Sequence, residues 1–251
     1  VDAANIGVTS ETLCDTLRET QPVVFVGPYE HHSNELSWRQ SLATTIEVRL
    51  DAGGQVDLEH LEELLTDRRF AGRRKIGSFS AASNVTGVLT DVHAIASLLH
   101  RHGAIACFDY AACAPYVGID MNPPASGDDD PSIDAIFVSP HKFLGGPGAS
   151  GVLVFNQRIY DRSLPPTVSA GGTVDYVSMT DQDFIQDIEE REKAGTPGVL
   201  QTLKAALVFQ IKDSVGVDEI RLREHELTSR AMQEWCGHDG IEILGTPDPA
   251  K

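Results

Sequence analysis

The sequence predicts an α/β fold, a mainly parallel sheet sandwiched by helices. Short apolar runs of five or six residues recur along the first 155 residues, and helical periodicities fall between several of them. Chain that leaves a strand, crosses as a helix and returns as another strand places the two strands parallel. That is the frame for each element.

In chain order, residues 23–27 (VVFVG), 45–50 (TIEVRL), 75–80 (KIGSFS), 104–109 (AIACFD), 134–139 (DAIFVS) and 151–155 (GVLVF) read as strands. Their near-continuous apolar character suits strands buried on both faces. Leu58, Leu61 and Leu65 share a helical face behind Asp57 as N-cap, and Val92, Ile95 and Leu99 share another behind Thr90 or Asp91. Residues 122–132 (NPPASGDDDPS) form a loop, in which Asp128, Asp129 and Asp130 read as a solvated charge run. His93, His100 and His102, on or after the second helix, read as solvated. A loop-rich stretch then runs to about residue 197. Beyond it, Leu200, Leu203, Leu207 and Ile211 mark one amphipathic helix over 198–216, a second helix follows over 217–236, and the chain closes on a strand and a turn within IEILGTPDPAK.

With 251 residues and 41% hydrophobic content, the chain can bury the core of one large domain or one and a part. A formal net charge of −17 speaks against nucleic-acid and anionic-membrane surfaces, because repulsion would have to be overcome locally. Cys14, Cys107, Cys113 and Cys236 show no CxxC pairing, which argues against a disulfide or zinc framework and fits a reducing cytoplasm. No run is long and apolar enough to span a bilayer, and the first residues lack a signal-peptide pattern. The chain starts on Val1 and stops where another element should follow, so a piece of a longer protein is expected.

The chemistry collects at strand ends, where open α/β sheets keep their ligands. One strand ends on Asp109, and the next ends on Ser139, His141 and Lys142 ahead of the glycine-rich GGPGASG at 145–151. A carboxylate and an amine on two such edges can hold one ligand between them. Singly, the aspartate also reads as a turn former and the lysine as a surface residue. The glycine-rich loop lacks the GxxxxGK[ST] pattern of a nucleotide P-loop. His31 and His32 form a pair, but no third ligand stands at metal-site spacing, so no metal is expected.

Taken together, FDYAACAPY, DAIFVSPHKFLGGPGASGVLVF and EREKAGTPG, with GPYEHHSNELSW and SFSAASNVTGVLTDVHAIASLLHRHGA in the same order, resemble the class V aminotransferase and cysteine desulfurase family. These are fold type I enzymes that use pyridoxal 5'-phosphate. The resemblance covers most of residues 22–245 and implies a large cofactor-binding domain over 1–215 and the beginning of a small C-terminal domain over 216–251. It implies that Lys142 forms a Schiff base with the cofactor and carries the proton at the substrate carbon. Asp109 would pair with the pyridine nitrogen and keep it protonated. His31 would stack on one ring face, with His32 able to exchange roles with it. Ala111 would pack under the other face, and Asn84 would bond the phenolic oxygen. Ser139 and His141 would bind the phosphate, and Thr196 would reach a neighbouring subunit's phosphate in a homodimer.

Departures from the family pattern qualify this reading. Nothing before residue 23 matches the family's first strand, helix and Gly/Thr phosphate turn, and residues 1–22 resemble the connection after that helix. The arginine that clamps a substrate carboxylate belongs to the small domain. Within this chain, Arg191 is the first arginine to test. No cysteine stands in the context of the desulfurase mobile loop, Ala112 replaces a common glutamine, and Lys193 replaces a common acidic residue. The expected function is conversion of an amino acid or related amine by an aminotransferase-like enzyme. A desulfurase or lyase of the same family is one alternative, and a cofactor-binding module without turnover is the other.

Overall fold

A computed structural model describes residues 10–127, 129–246 and 248. Its sheet is built around β1 (Val23–Val26), whose four side chains are all buried. Strand β1 pairs in parallel with β2 (Thr44–Glu47) on one side and β3 (Lys75–Ser80) on the other. Strands β4 (Ile105–Asp109) and β5 (Ala135–Val138) continue the parallel set, and β6 (Val152–Phe155) closes it antiparallel to β5. The strand order is β2-β1-β3-β4-β5-β6.

The helices that cover this sheet form where apolar spacing and caps coincide. Helix α3 (Leu58–Thr66) buries Leu61 and Leu65, and Asp57 accepts a hydrogen bond from the His60 N–H at 2.9 Å. Helix α4 (Val92–Arg101) buries Val92, Ile95 and Leu99, and it is Asp91 that caps it, through the Ala94 N–H at 3.1 Å. Leu99 packs so closely on β3 that a Cβ at Gly77 would stand 2.4 Å from its Cδ1. Phe25, Phe79 and Phe108, fully buried on β1, β3 and β4, fill the interior.

Several elements depart from the expectation. The last strand is antiparallel because β5 and β6 are joined by the short connection 139–151, without a crossover helix. Strand β2 ends early: Asp51 accepts from the N–H groups of Gly53 and Gln55, and this turn folds Leu50 back to bridge Val56. Helix α1 (Ser10–Thr20) stands where a connection is expected, and residues 1–9 lie outside the described residues. Helix α2 (His32–Arg39) forms inside the EHHSNELSW motif. A two-stranded hairpin, β7 (Val174–Val177) with β8 (Gln182–Phe184), and the short helix α5 (Ile188–Arg191) interrupt the loop-rich stretch. Residues 241–246 form no strand; there Gly245, at φ +90°, lies against Thr86 and Val88 and finds no sheet edge.

Helix α6 (Val199–Val215) is present, but its orientation differs from its apolar spacing. Ala205 and Val208 are the buried positions, while Leu200, Leu203 and Leu207 are 77%, 55% and 57% exposed. Gly216, at φ +88°, separates α6 from α7 (Val217–Trp235). Among the described residues, no helix is long and apolar enough to cross a membrane.

Candidate active site

The carboxyl ends of β1, β3, β4 and β5 open onto one cavity of about 360 Å³. Asp109 is the last residue of β4, half-buried, and its Oδ1 accepts from the Ala111 N–H at 2.8 Å. That bond holds the chain after the strand in a tight turn, so Ala111 and Ala112 also face the cavity. One strand away, β5 leads through Ser139 into a single helical turn, Pro140–Lys142, closed by the Lys142 N–H to the Ser139 carbonyl at 3.0 Å. Ser139, His141 and Lys142 line the same cavity. Gly146 permits this turn: a Cβ there would stand 2.0 Å from the Pro140 carbonyl oxygen.

His31 enters from β1 as the N-cap of α2, its Nδ1 accepting from the Ser33 N–H at 3.1 Å. His32 stacks on it at 4.1 Å between ring centroids, but His31 is the one of the pair that lines the cavity. Asn84, from the loop after β3, completes the wall. Seven of the eight residues singled out in the sequence therefore meet in one place. Thr196 does not; it is exposed and is not among the residues that line this cavity.

Four residues are not predicted from the sequence; one is Ser33, which lines the cavity from the first turn of α2. Ser80 and Ala82 line the cavity from the end of β3, and the strand-end rule that selects Asp109 on the neighbouring strand would have found Ser80. Behind them, the Glu30 carboxylate accepts from the N–H groups of Gly27 and Ser80, the Ser80 hydroxyl and the Asn34 amide, at 2.6–3.1 Å. Burial raises its pKa from the ordinary carboxylate value, and these four donors oppose the rise. Asn34 also bonds Ser78 in both directions, so the turn bearing His31 is fastened to β3.

The remaining titratable groups sit apart from the cavity or are inert. Burial pushes the thiols of Cys107 and Cys113 up to about 12, and Cys14 and Cys236 are exposed elsewhere. Arg191 is buried over the Phe184 ring and donates to the Leu164 carbonyl, which ties it to the hairpin region rather than to the cavity. Among the described residues, no group of three His, Cys, Asp or Glu side chains could hold a metal ion. An amine, a carboxylate, an imidazole and an amide around one cavity, with alanines leaving space for a flat ring, form a donor set that fits pyridoxal 5'-phosphate.

The family profile "Aminotransferase class-V" matches residues 7–251, and the chain belongs to that family. Its similarity extends to a probable cysteine desulfurase of Staphylococcus aureus, 31% identical over 97% of this chain and 56% of that protein. A probable cysteine desulfurase of Halalkalibacterium halodurans is 28% identical over 88% of this chain and 52% of that protein. The chain thus spans about half the length of the curated relatives it matches. Among solved structures, the Escherichia coli cysteine desulfurase CsdA shares the fold with a TM-score of 0.72 at 21% identity, over 93% of this chain and 57% of that one. The family's cofactor is pyridoxal 5'-phosphate.

Proposed function

We propose that the protein to which this chain belongs converts an amino acid or related amine with pyridoxal 5'-phosphate, in the manner of a class V aminotransferase. The observation that carries the reading is the meeting of Lys142 and Asp109, from neighbouring strand ends, with His31 at one cavity. The cofactor, when bound, supplies an electron sink for a carbanion at the substrate carbon. Lys142 would hold it through its amine, which would condense with the cofactor aldehyde and release water, and the freed amine would then carry the proton at the substrate carbon. Asp109 would offer its carboxylate to the pyridine nitrogen. His31 would cover one ring face, Ala111 would leave room at the other, and Asn84 would bond the phenolic oxygen. Ser139 and His141 would donate to the phosphate. The exposure of Thr196 suits a role at a second copy's phosphate in a homodimer.

The same reading divides the chain into a cofactor-binding domain over 1–215 and the start of a small domain over 216–251, supported by the break at Gly216. A cytoplasmic setting accords with four free thiols. Desulfuration of cysteine is a second reading, favoured by the names of the relatives.

Adding pyridoxal phosphate to the full-length protein, fixing the adduct with borohydride and mapping peptides should place the label on Lys142. A label spread over other lysines with Lys142 unmodified overturns the assignment. Assaying keto acid and sulfide from a panel that includes cysteine then separates the two readings.

A further inference from the structure

One lysine outside the cavity touches both of the chain segments that carry its reactive groups. The Lys212 Nζ, on α6, donates to the carbonyls of Ala114 at 2.6 Å and Val117 at 2.5 Å. Both belong to the turn that follows Asp109, whose own backbone bonds run from the Ala114 N–H to the Tyr110 carbonyl and from the Val117 N–H to the Cys113 carbonyl. The same ammonium lies 5.8 Å from the centroid of the Phe143 ring, and Phe143 is the residue next to Lys142. The Cys113 thiol is buried in that same turn.

We propose that Lys212 is a positioning residue: its ammonium ties the turn after Asp109 to the turn that carries Lys142, and so sets the spacing of carboxylate and amine at the cavity. Helix α6 is built to deliver it. Phe209 meets Phe143 edge-on at 5.0 Å, Lys204 donates to the Pro147 carbonyl at 2.9 Å, and the Gln201 carbonyl accepts from the Ser150 N–H at 3.2 Å. The helix is thus bonded along the glycine-rich connection, and Lys212 extends that hold across to the β4 side. An apolar side chain of the same length would pack on Phe143 but would strip the carbonyls of buried Ala114 and half-buried Val117 of a charged donor. Burial lowers the Lys212 pKa from the ordinary lysine value, and two carbonyls with an aromatic face are the partners that keep an ammonium there.

The tie itself is independent of the proposed function, whereas its consequence for the cofactor rests on that reading. Lys212→Met keeps the aliphatic stem and removes the donors; Lys212→Arg keeps donors. In the cofactor-free full-length protein, amide hydrogen exchange in Lys212→Met should quicken about fivefold or more at 110–118 and at 139–151 together, and stay unchanged at β1 and α3. Faster exchange in one segment alone, in neither, or uniformly across the protein overturns the tie. With pyridoxal phosphate added, the visible circular dichroism of the bound chromophore and the share of borohydride label on Lys142 should both fall in Lys212→Met and recover in Lys212→Arg. A lower melting temperature with dichroism and labelling unchanged makes Lys212 merely structural. Absence of label on Lys142 in the unsubstituted protein overturns the cofactor reading instead, and the exchange experiment still decides the tie.

Discussion

His100 illustrates what a single side chain gains from a contact distant in sequence. Its Nε2 lies 2.9 Å from Asp134 Oδ2 and its Nδ1 2.9 Å from the Asp130 carbonyl, so both ring nitrogens face acceptors, as suits an imidazolium. The Asp134 partner raises the His100 pKa, against partial burial, while the neighbouring Arg158 guanidinium at 3.2 Å is a like charge. Burial pushes Asp134 up, but bonds from His100, the Ala106 N–H and Arg158 outweigh it and hold the carboxyl below its ordinary range. The stabilisation from His100 is therefore complete below about pH 6.5, its unfolded value, and is lost as pH rises through its higher folded pKa. That from Asp134 is present above its unfolded pKa and is lost as pH falls through its folded pKa. Urea unfolding should show His100→Gln less stable than the parent by about 1.5 kcal/mol near pH 6, with the gap narrowing by pH 8.5. An equal gap at both values would mean that folding leaves the His100 pKa unshifted. From the sequence His100 reads as a solvated helix-end residue, because periodicity carries no signal for a partner 34 positions away. Lys142 and Asp109 were legible because strand ends are local features, readable without knowing what packs behind them.

Elements were legible where spacing and caps agree, as in α3 with Asp57 and α4 with Asp91. They were not where tertiary contact decides. Helix α2 has few apolar residues and depends on the His31 cap and on Asn34 buried against β3, and β7 and β8 are strands chiefly because they pair with each other. The turn that carries Lys142 depends on a different constraint, close backbone approach. Because a Cβ at Gly146 would stand 2.0 Å from the Pro140 carbonyl oxygen and 2.9 Å from that of Phe143, neither of which is a flexible side-chain end, the backbone itself must move. Gly146→Ala should destabilise the protein by about 1–3 kcal/mol, as overpacking does, and lower the borohydride label on Lys142. Thermal unfolding and peptide mapping read the two effects separately. A fully stable, fully labelled variant would show that the turn tolerates the shift.

At the scale of the whole molecule, an apolar surface and a large charge act against each other. The spacing of α6 predicts an apolar stripe, but the positions it buries are Ala205 and Val208, and Leu200, Leu203 and Leu207 are exposed. Contiguous exposed apolar surface favours association, since covering it removes it from water. A formal net charge of −17 opposes any contact between copies, and salt weakens that opposition because the screening length shortens to about 8 Å at 0.15 M. Self-association of the 251-residue chain should therefore strengthen as sodium chloride is raised, the reverse of what ion pairs across an interface would give. Replacing Leu203 and Leu207 together by glutamate puts charge into the middle of the row and should return the chain to the monomer at every salt concentration, without loss of helix content, because neither side chain contributes to the core. Sedimentation velocity at low and high salt distinguishes the outcomes. A monomer throughout would show that this face does not drive association, and association that weakens with salt would assign it to charged groups elsewhere on the surface.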